Sequence, residues 1–391
     1  MAIALITNYL TGYRMPLYQR LAEHHRVEVL CYGGGERYAP SWFRDLDRQL
    51  GEAPFPARRL RSPREAFVVA GDYDAVIAPF AGGAILPAAY AGARRSGKPF
   101  VLWASVWVEP RSITHLLARP VTRHIYRHAD AVVAYGEHVR RFVASIRGRD
   151  SDVFIAPQSV EAELFARVVG REERERFRAA HGLGSGPLVI YVGRLIEEKG
   201  VGVLLEAWPR VRSEATLVLI GDGPLAARAS GAEGVRLVPP LARPALAAAY
   251  AAGELTVLAS VPSRRFREPW GLVCNESMHQ GRPVIASDSV GAVAGGLVSD
   301  QVNGVVVPSG DAGALAAAID RLLTDAGLRE RLGGAAREAV KPFNYEAMEA
   351  GFVQALQAAG SLPDREERLE VVTAEGLEGD HRLGPLDAGE P

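Results

Sequence analysis

Glu268 and Glu276 stand eight positions apart in FREPWGLVCNESMHQGRPVIASD, on either side of an apolar run. Glutamate is rarely buried without a partner, so two of them in this setting call for a purpose. A carboxylate suits a vicinal diol, because its two oxygens can accept from both hydroxyls. Pro269 fits the first turn of a helix, where its missing N–H costs nothing. Glu268 then lies in the loop just before that helix, beside free N–H groups of Gly271, Leu272 and Val273, and Gly271 lets a ligand approach the backbone. Glu276 sits about a turn further in, reaching a different part of the same ligand. The competing reading of Glu276 is a structural acid paired with an arginine such as Arg282.

A second stretch, YVGRLIEEKGVGVLLEAW (191–208), ends a strand at Gly193, carries Arg194 and Lys199 in one loop, and opens a helix at Gly200. Two cations beside free N–H groups at a positive helix end make an anion site. The chain has only three lysines, Lys98, Lys199 and Lys341, against 42 arginines. A lysine at position 199 therefore points to a need for a compact, rotatable point charge, as phosphate oxygens have. The alternative is an ordinary surface lysine. A third stretch, LVLIGDGPLAAR, places a tight Gly-Asp-Gly-Pro turn after a strand, which is a weak signal alone. Taken together, an anion site flanked by two diol acceptors matches a nucleotide sugar, with hydroxyls at both ends of a diphosphate.

These residues need elements to position them. Short apolar runs (AIALIT, VEVLCY, DAVIAPF, KPFVLWAS, ADAVVAY, SDVFIAPQ) alternate with helical patterns, then a second series follows: PLVIYVG, ATLVLIG, VRLVP, LTVLAS, PVIAS. Such alternation argues for α/β architecture with doubly wound parallel sheets. We expect a Rossmann-like domain over 1–170, a charged and then glycine-rich linker over 171–186, and a second Rossmann-like domain over 187–343. A last helix over 344–360, capped by Asn344, is expected to pack back toward the first domain. Two such domains bind ligand in the cleft between them, at the carboxyl ends of their strands. The acidic 361–391 tail reads as disordered.

Composition excludes several classes. The chain is 48% hydrophobic and 23% charged with a net charge of −1, and no apolar stretch approaches the length of a membrane span. The opening MAIALITNYL lacks a basic n-region, so it reads as a first strand and not a signal peptide. Two distant cysteines, Cys31 and Cys274, make a disulfide framework improbable and fit a cytoplasmic protein. Residues 1–150 hold 21 Lys+Arg against 13 Asp+Glu, and the rest 24 against 33. The basic first half points to an anionic partner such as a phosphorylated lipid or an anionic membrane surface touched peripherally, or else is solvated surface. No nucleic-acid module is present. His24, His25, His124, His128 and His138 read as surface residues, and Cys274 as a small core residue.

GRLIEEKGVGVLLEAW, IGDGPL, EPWGLVCNESMHQGRPVIASD and GGLVSDQVNGVVVPSGDAGALAAAI resemble the C-terminal domain of GT4-type retaining glycosyltransferases (glycosyltransferase group 1) of GT-B fold, with Glu268 and Glu276 as the paired acids of the family signature. ADAVVAYGEHVRRF, IAPQSVEAELF and YLTGYRMPLYQRLAE resemble its N-terminal elements, so the similarity covers residues 2–360. The resemblance implies that Arg194 and Lys199, with Gly12 in the first loop, hold the donor diphosphate. It implies Glu276 on the ribose, Pro240 and Leu241 near the base, and Glu268 with Gly271, Leu272 and Val273 on the donor sugar. By the same resemblance the donor is a UDP- or GDP-sugar, the acceptor a glycan or a lipid-linked glycan precursor in polysaccharide or glycolipid synthesis, anomeric configuration is retained, and neither metal nor cofactor is needed. Neither glutamate would be a nucleophile, unlike the paired acids of glycosidases.

Three features depart from the family. The first loop has a single Gly12 where relatives carry a pair. VLWASVWVEPR offers Ser105, Trp107 or Glu109, and no histidine before His115, near the reacting carbon. Gln158-Ser159 replaces the usual Asn-Gly. For the acceptor the sequence offers Arg14, Ser105, Trp107 and Glu109, with Arg111, Arg119, Arg123 and Arg127 available to meet a phosphorylated lipid. A nucleotide-sugar epimerase, or a non-catalytic glycan-binding protein on the same fold, are the alternatives to a transferase.

Overall fold

The computed structural model describes residues 2–33, 45–80, 83–109, 112–264 and 266–362; Arg111 and nearly all of the acidic tail lie outside them. The two series of apolar runs form two parallel sheets. The first holds β1 (Ile3–Thr7), β2 (Val27–Cys31), β3 (Ala57–Arg59), β4 (Ala75–Pro79), β5 (Phe100–Ala104), β6 (Ala131–Ala134) and β7 (Val153–Ile155), in the order β3-β2-β1-β4-β5-β6-β7. The second holds β8 (Leu188–Val192), β9 (Thr216–Ile220), β10 (Val235–Val238), β11 (Leu255–Leu258), β12 (Val284–Ser287) and β13 (Gly304–Val307), in the order β10-β9-β8-β11-β12-β13. Every residue of β1 and of β5 is buried, because helices cover both faces of a parallel sheet and leave no side of a strand polar.

In each sheet the strand order proceeds to both sides of the first strand, with parallel β2 and β4 around β1 and parallel β9 and β11 around β8. The order reverses there, and the loops leaving the carboxyl ends of those strands diverge and open a crevice. The loops concerned carry Gly12 after β1, Arg194 and Lys199 after β8, and Glu268 after β11.

The segment 171–186, expected as a linker, is largely structured. Arg171–Ala180 is a helix lying on the helix Arg243–Ala252. Arg178 fastens it by donating to the carbonyl oxygens of Gly184 (2.6 Å), Gly186 (2.8 Å) and Ala252 (2.9 Å). Val160, Phe165 and Val169 already belong to the core shared with Leu188, Ile190 and Tyr250, so packing passes to the second sheet before residue 170. The charged run is the solvated face of a docked helix.

Asp311 and Asn344 accept from the backbone of Ala314 and Ala347, both at 2.8 Å, and so cap the helices Ala312–Thr324 and Tyr345–Ala358. The second of these returns to the first sheet. Phe352 is fully buried with its ring edge on Trp103 of β5 at 5.0 Å. Buried Glu349 takes Arg20 Nε at 2.8 Å and lies 2.6 Å from His24 Nδ1 and 3.5 Å from His25 Nε2. Of the two histidines expected at the surface here, His24 is exposed and His25 half-buried, and both reach Glu349 to clasp the last helix to Met15–His25; His124 and His128 are exposed and stack on one another at 4.2 Å. The chain crosses between the sheets twice, through residues 156–160 and 340–344. Cys31 and Cys274 are free and buried, and among the described residues no helix is long and apolar enough to cross a membrane. Replacing Phe352 by alanine is expected to lower unfolding free energy by about 3 kcal/mol in denaturant titration; an unchanged midpoint would show that the last helix is not part of the first core.

Candidate active site

The loop after β8 folds through a short 3-10 turn, Glu197–Lys199, and reaches Gly200 at φ 73°. A Cβ there would stand 1.8 Å from the carbonyl oxygen of Ala259, so only glycine lets this loop close on the end of β11. That approach sets Lys199 Nζ 2.5 Å from Glu268 Oε2. Ser260, just past β11, donates its hydroxyl to the same oxygen at 3.0 Å. Tyr191 on β8 donates to the carbonyl oxygen of Arg194 at 2.8 Å, and its hydroxyl lies in the fields of both Glu268 and Arg194. Arg194, Lys199 and Glu268 are therefore gathered at one crevice. Among the described residues, Glu268 Oε1 accepts no hydrogen bond.

Glu268 is buried, and its main chain is fixed as firmly as its side chain. Its carbonyl oxygen accepts from Gly291 N at 3.0 Å and from Trp107 Nε1, of the first domain, at 3.1 Å. The expected helix start at Pro269 is displaced. Glu268 pairs with Val290 in a strand-like bridge, which carries the chain extended through Pro269, and the helix Leu272–His279 begins only after Gly271. Gly271 has φ 97° and no side chain caps its helix, so the first-turn amides of Leu272 and Val273 stand at a positive helix end.

Glu276 lies inside that helix. Its Oε2 accepts from the Tyr250 hydroxyl at 2.6 Å. Burial pushes its carboxyl up to about 7, against the opposing effects of the Tyr250 hydrogen bond and the charge of Arg243. Arg282 is not its partner: that guanidinium donates to the carbonyl oxygen of Ala251 at 2.6 Å. Cys274 sits between the two acids, in the fields of Glu268, Lys199 and Glu276, and burial pushes its thiol up. It is inert packing, not a nucleophile.

Arg243 was not anticipated, and it joins the parts. Its Nη1 reaches Glu161 Oε1 at 2.5 Å and the carbonyl oxygen of Gly12 at 3.2 Å, so the first-domain loop rests on the second domain beside Glu276. Nothing in an Arg-Pro at a helix start distinguishes this arginine from the 41 others. Asn275, beside Glu276 in the motif, accepts from Trp270 Nε1 at 2.8 Å and donates to the carbonyl oxygen of Gln158 at 3.0 Å, a tie across the domains. Pro240 is exposed and Leu241 half-buried, just past the carboxyl end of β10.

In the first domain the expectations separate. Trp107 touches the donor-side motif, as given above. Ser105 is half-buried and bonds toward Tyr135. Glu109 does not face the crevice freely, being paired with Arg123 at 2.7 Å and Arg119 at 3.0 Å. Arg14 is turned inward, its guanidinium 4.3 Å over the Trp103 ring and donating to Tyr135 Oη. Arg127 donates to the carbonyl oxygen of Ile146 at 3.2 Å. The basic set expected to meet a phosphorylated acceptor is thus mostly engaged within the protein. His138, read as a surface residue, is buried. Its Nε2 donates to the carbonyl oxygen of Pro269 at 3.0 Å, between Trp107 and Trp270. Burial pushes it down to about 4, so it is neutral and carries its proton on Nε2.

Residues 186–325 match the family described as glycosyl transferases group 1, and residues 16–164 the family described as glycosyltransferase family 4. The chain belongs to the GT4-type glycosyltransferases. It is 32% identical over 256 residues to a D-inositol 3-phosphate glycosyltransferase of Xylanimonas cellulosilytica, covering 61% of this chain and 59% of that one. It is 29% identical over 272 residues to a GDP-mannose-dependent alpha-(1-6)-phosphatidylinositol monomannoside mannosyltransferase of Mycolicibacterium smegmatis, covering 65% and 69%. The chain spans between 48% and 59% of the length of the first matched curated relatives. Anabaena HepE, solved with UDP and glucose, superposes with a TM-score of 0.75 at 19% identity over 92% of this chain and all of that one. This likeness establishes the GT-B fold.

The raised carboxyl of Glu276 has a stability consequence. The folded state favours its protonated form, so the associated stability is full below the ordinary carboxyl range and is lost as pH rises through about 7. We expect Glu276→Gln to become more stable relative to the parent by on the order of 2–3 kcal/mol between mildly acidic and mildly alkaline pH. A pH-independent difference in melting would show that Glu276 titrates normally.

Proposed function

We propose that this protein is a retaining glycosyltransferase that moves a hexose-type sugar from a UDP- or GDP-sugar to a glycan or lipid-linked acceptor, in the assembly of a cell-surface polysaccharide or glycolipid. The observation that carries this reading is the matched state of the two acids. Each has one oxygen tied to the protein, Glu268 Oε2 to Lys199 and Ser260, Glu276 Oε2 to Tyr250. Each has its other oxygen without a hydrogen bond among the described residues, with Lys199 against Glu268 and the charge of Arg243 acting on Glu276. Two held diol acceptors flanking a cationic crevice complement a sugar–diphosphate–ribose ligand.

In this reading Glu276 takes the ribose hydroxyls, with Pro240 and Leu241 flanking the base. Arg194 and Lys199 meet the diphosphate, and the Gly12 loop closes over it from the first domain. Glu268 Oε1 and the amides of Gly271, Leu272 and Val273 orient the donor sugar. Charge developing on the leaving diphosphate is stabilised by fixed cations and a helix end, and a preorganised site needs no reorganisation as that charge appears. In this reading Glu268 orients the donor sugar and is not a nucleophile, its Oε2 being held by Lys199 and Ser260. Retention then rests on the leaving phosphate accepting the acceptor's proton on the same face. The names of the curated relatives, which include an inositol-phosphate glycosyltransferase and a GDP-mannose-dependent enzyme, support a nucleotide-sugar donor.

A thermal-shift screen across UDP- and GDP-sugars is expected to raise the melting point with one donor class, since a ligand for the folded state stabilises it. Glu276→Ala or Lys199→Ala is expected to lower donor turnover by about 100-fold or more, with the fold intact by circular dichroism; full activity in both variants would remove the site assignment. Donor turnover is expected to survive excess EDTA, and its abolition would assign the charge stabilisation to a bound divalent cation.

A further inference from the structure

Away from the crevice, three side chains able to ligate a metal converge on one point. His24 and His25 close the helix Met15–His25, and Glu349 stands on Tyr345–Ala358, the helix that returns to the first domain. Neighbours on a helix point about 100° apart, and the chain leaves this one through Arg26 in the left-handed region, at φ 51°. The two rings nevertheless meet at one carboxylate oxygen: His24 Nδ1 is 2.6 Å and His25 Nε2 3.5 Å from Glu349 Oε1. One nitrogen of each ring and one oxygen of Glu349 lie within 4.8 Å of one another, and among the described residues no other trio of histidines, cysteines and acids gathers so closely.

The surroundings suit an ion. The side chains of His25 and Glu349 are 8 and 9% exposed, whereas that of His24 is 51% exposed and leaves a way in from solvent. Arg20 Nε holds the other carboxylate oxygen, Oε2, at 2.8 Å, which orients the carboxylate and leaves Oε1 for a single bond to metal. Glu346, one turn before Glu349, lies 3.4 Å from Arg20 Nη1 and offsets its charge. A hydrogen-bonded clasp needs one donor on each carboxylate oxygen, and Arg20 and His24 supply that; the second imidazole stands farther off than an ordinary N–H···O bond. A tetrahedral zinc ion with bonds of about 2.0–2.1 Å spaces its ligands roughly 3.3–3.4 Å apart. His25 already keeps that spacing from Oε1, and the exposed His24 ring reaches it by moving outward by less than about 1 Å.

We propose that His24, His25 and Glu349 form a site for a divalent transition metal of the zinc class, with water in the fourth position. Imidazole nitrogens favour such ions over magnesium and calcium, which take oxygen ligands. The ion has no part in sugar transfer. The helix Met15–His25 leads from the Gly12 loop to the start of β2, so its last residues stand about 15 Å of helix away from the crevice, and removing the ion leaves the EDTA-resistant turnover expected above unchanged. Its role is to bridge the first helix to the last. The three ligands meet only when Tyr345–Ala358 is docked, so binding the ion stabilises that docking.

The test uses the untagged full chain, stripped with EDTA, dialysed and titrated calorimetrically with zinc chloride. One zinc per chain is expected, with no binding of magnesium. His24→Gln, at an exposed position, and Glu349→Gln, which keeps an acceptor for Arg20, are each expected to weaken zinc by at least about tenfold. His124 and His128 form a second exposed histidine pair one helical turn apart, and His128→Gln is expected to leave zinc affinity unchanged. Saturating zinc is expected to slow amide hydrogen exchange over residues 345–358 in the parent and not in Glu349→Gln. Absence of zinc binding, zinc affinity that survives both His24→Gln and Glu349→Gln, or affinity lost in His128→Gln overturns the proposal. So does bound zinc that leaves exchange of the last helix unchanged, which assigns it to surface histidines alone.

Discussion

The contact between the Lys199 ammonium and the Glu268 carboxylate joins loops from two adjacent strand ends. The crevice has its shape because that contact is made. Both groups are largely withdrawn from water, with side-chain exposures of 19% and 6%, so neither can lose its partner without leaving an uncompensated charge. Glycine at position 200 makes the approach possible, and Ser260 completes the coordination of the same carboxylate oxygen. Because the main-chain carbonyl of Glu268 also receives Trp107, the position of one residue is dictated from both domains.

A division of labour follows from this arrangement. In each of the two acids one oxygen is committed to the protein, which restrains the side chain. Their electrostatic settings are opposite. Glu268 has a cation against it, and Glu276 has a neutral phenol and deep burial, which pushes it up to about 7. Burial thereby raises the proton affinity of Glu276 above that of an ordinary carboxylate.

The charged residues of the proposed site were easier to pick out in the sequence than the groups around them. Alternating apolar runs revealed both sheets, because a strand buried on both faces must be apolar throughout. Lys199, Glu268 and Glu276 stood out because their types are unusual where they stand, a lysine in an arginine-rich chain and acids in an apolar run, and Arg194 stood out only by sharing a loop with Lys199. Arg243 carried no such mark, since its role comes from Gly12 and Glu161, distant in sequence. His138 looked like one of several scattered histidines, and its burial depends on Trp107 and Trp270 arriving from two different domains. The start of the helix after Glu268 was misplaced because a proline suits a first helical turn and an extended bridge equally. The tertiary pairing with Val290 decides between them. Likewise REERER reads as linker until its one apolar side, Phe177, finds a core.

The return of the last helix to the first sheet ties the two halves a second time. Polypeptide passes between the two halves at residues 156–160 and again at 340–344, and both halves are tightly packed bodies. Trp107, His138 and Arg243 each reach a main-chain oxygen of the other half, and Trp270 and Cys274 join the first sheet's core, so the halves are held together by packing and hydrogen bonds as well as by the chain.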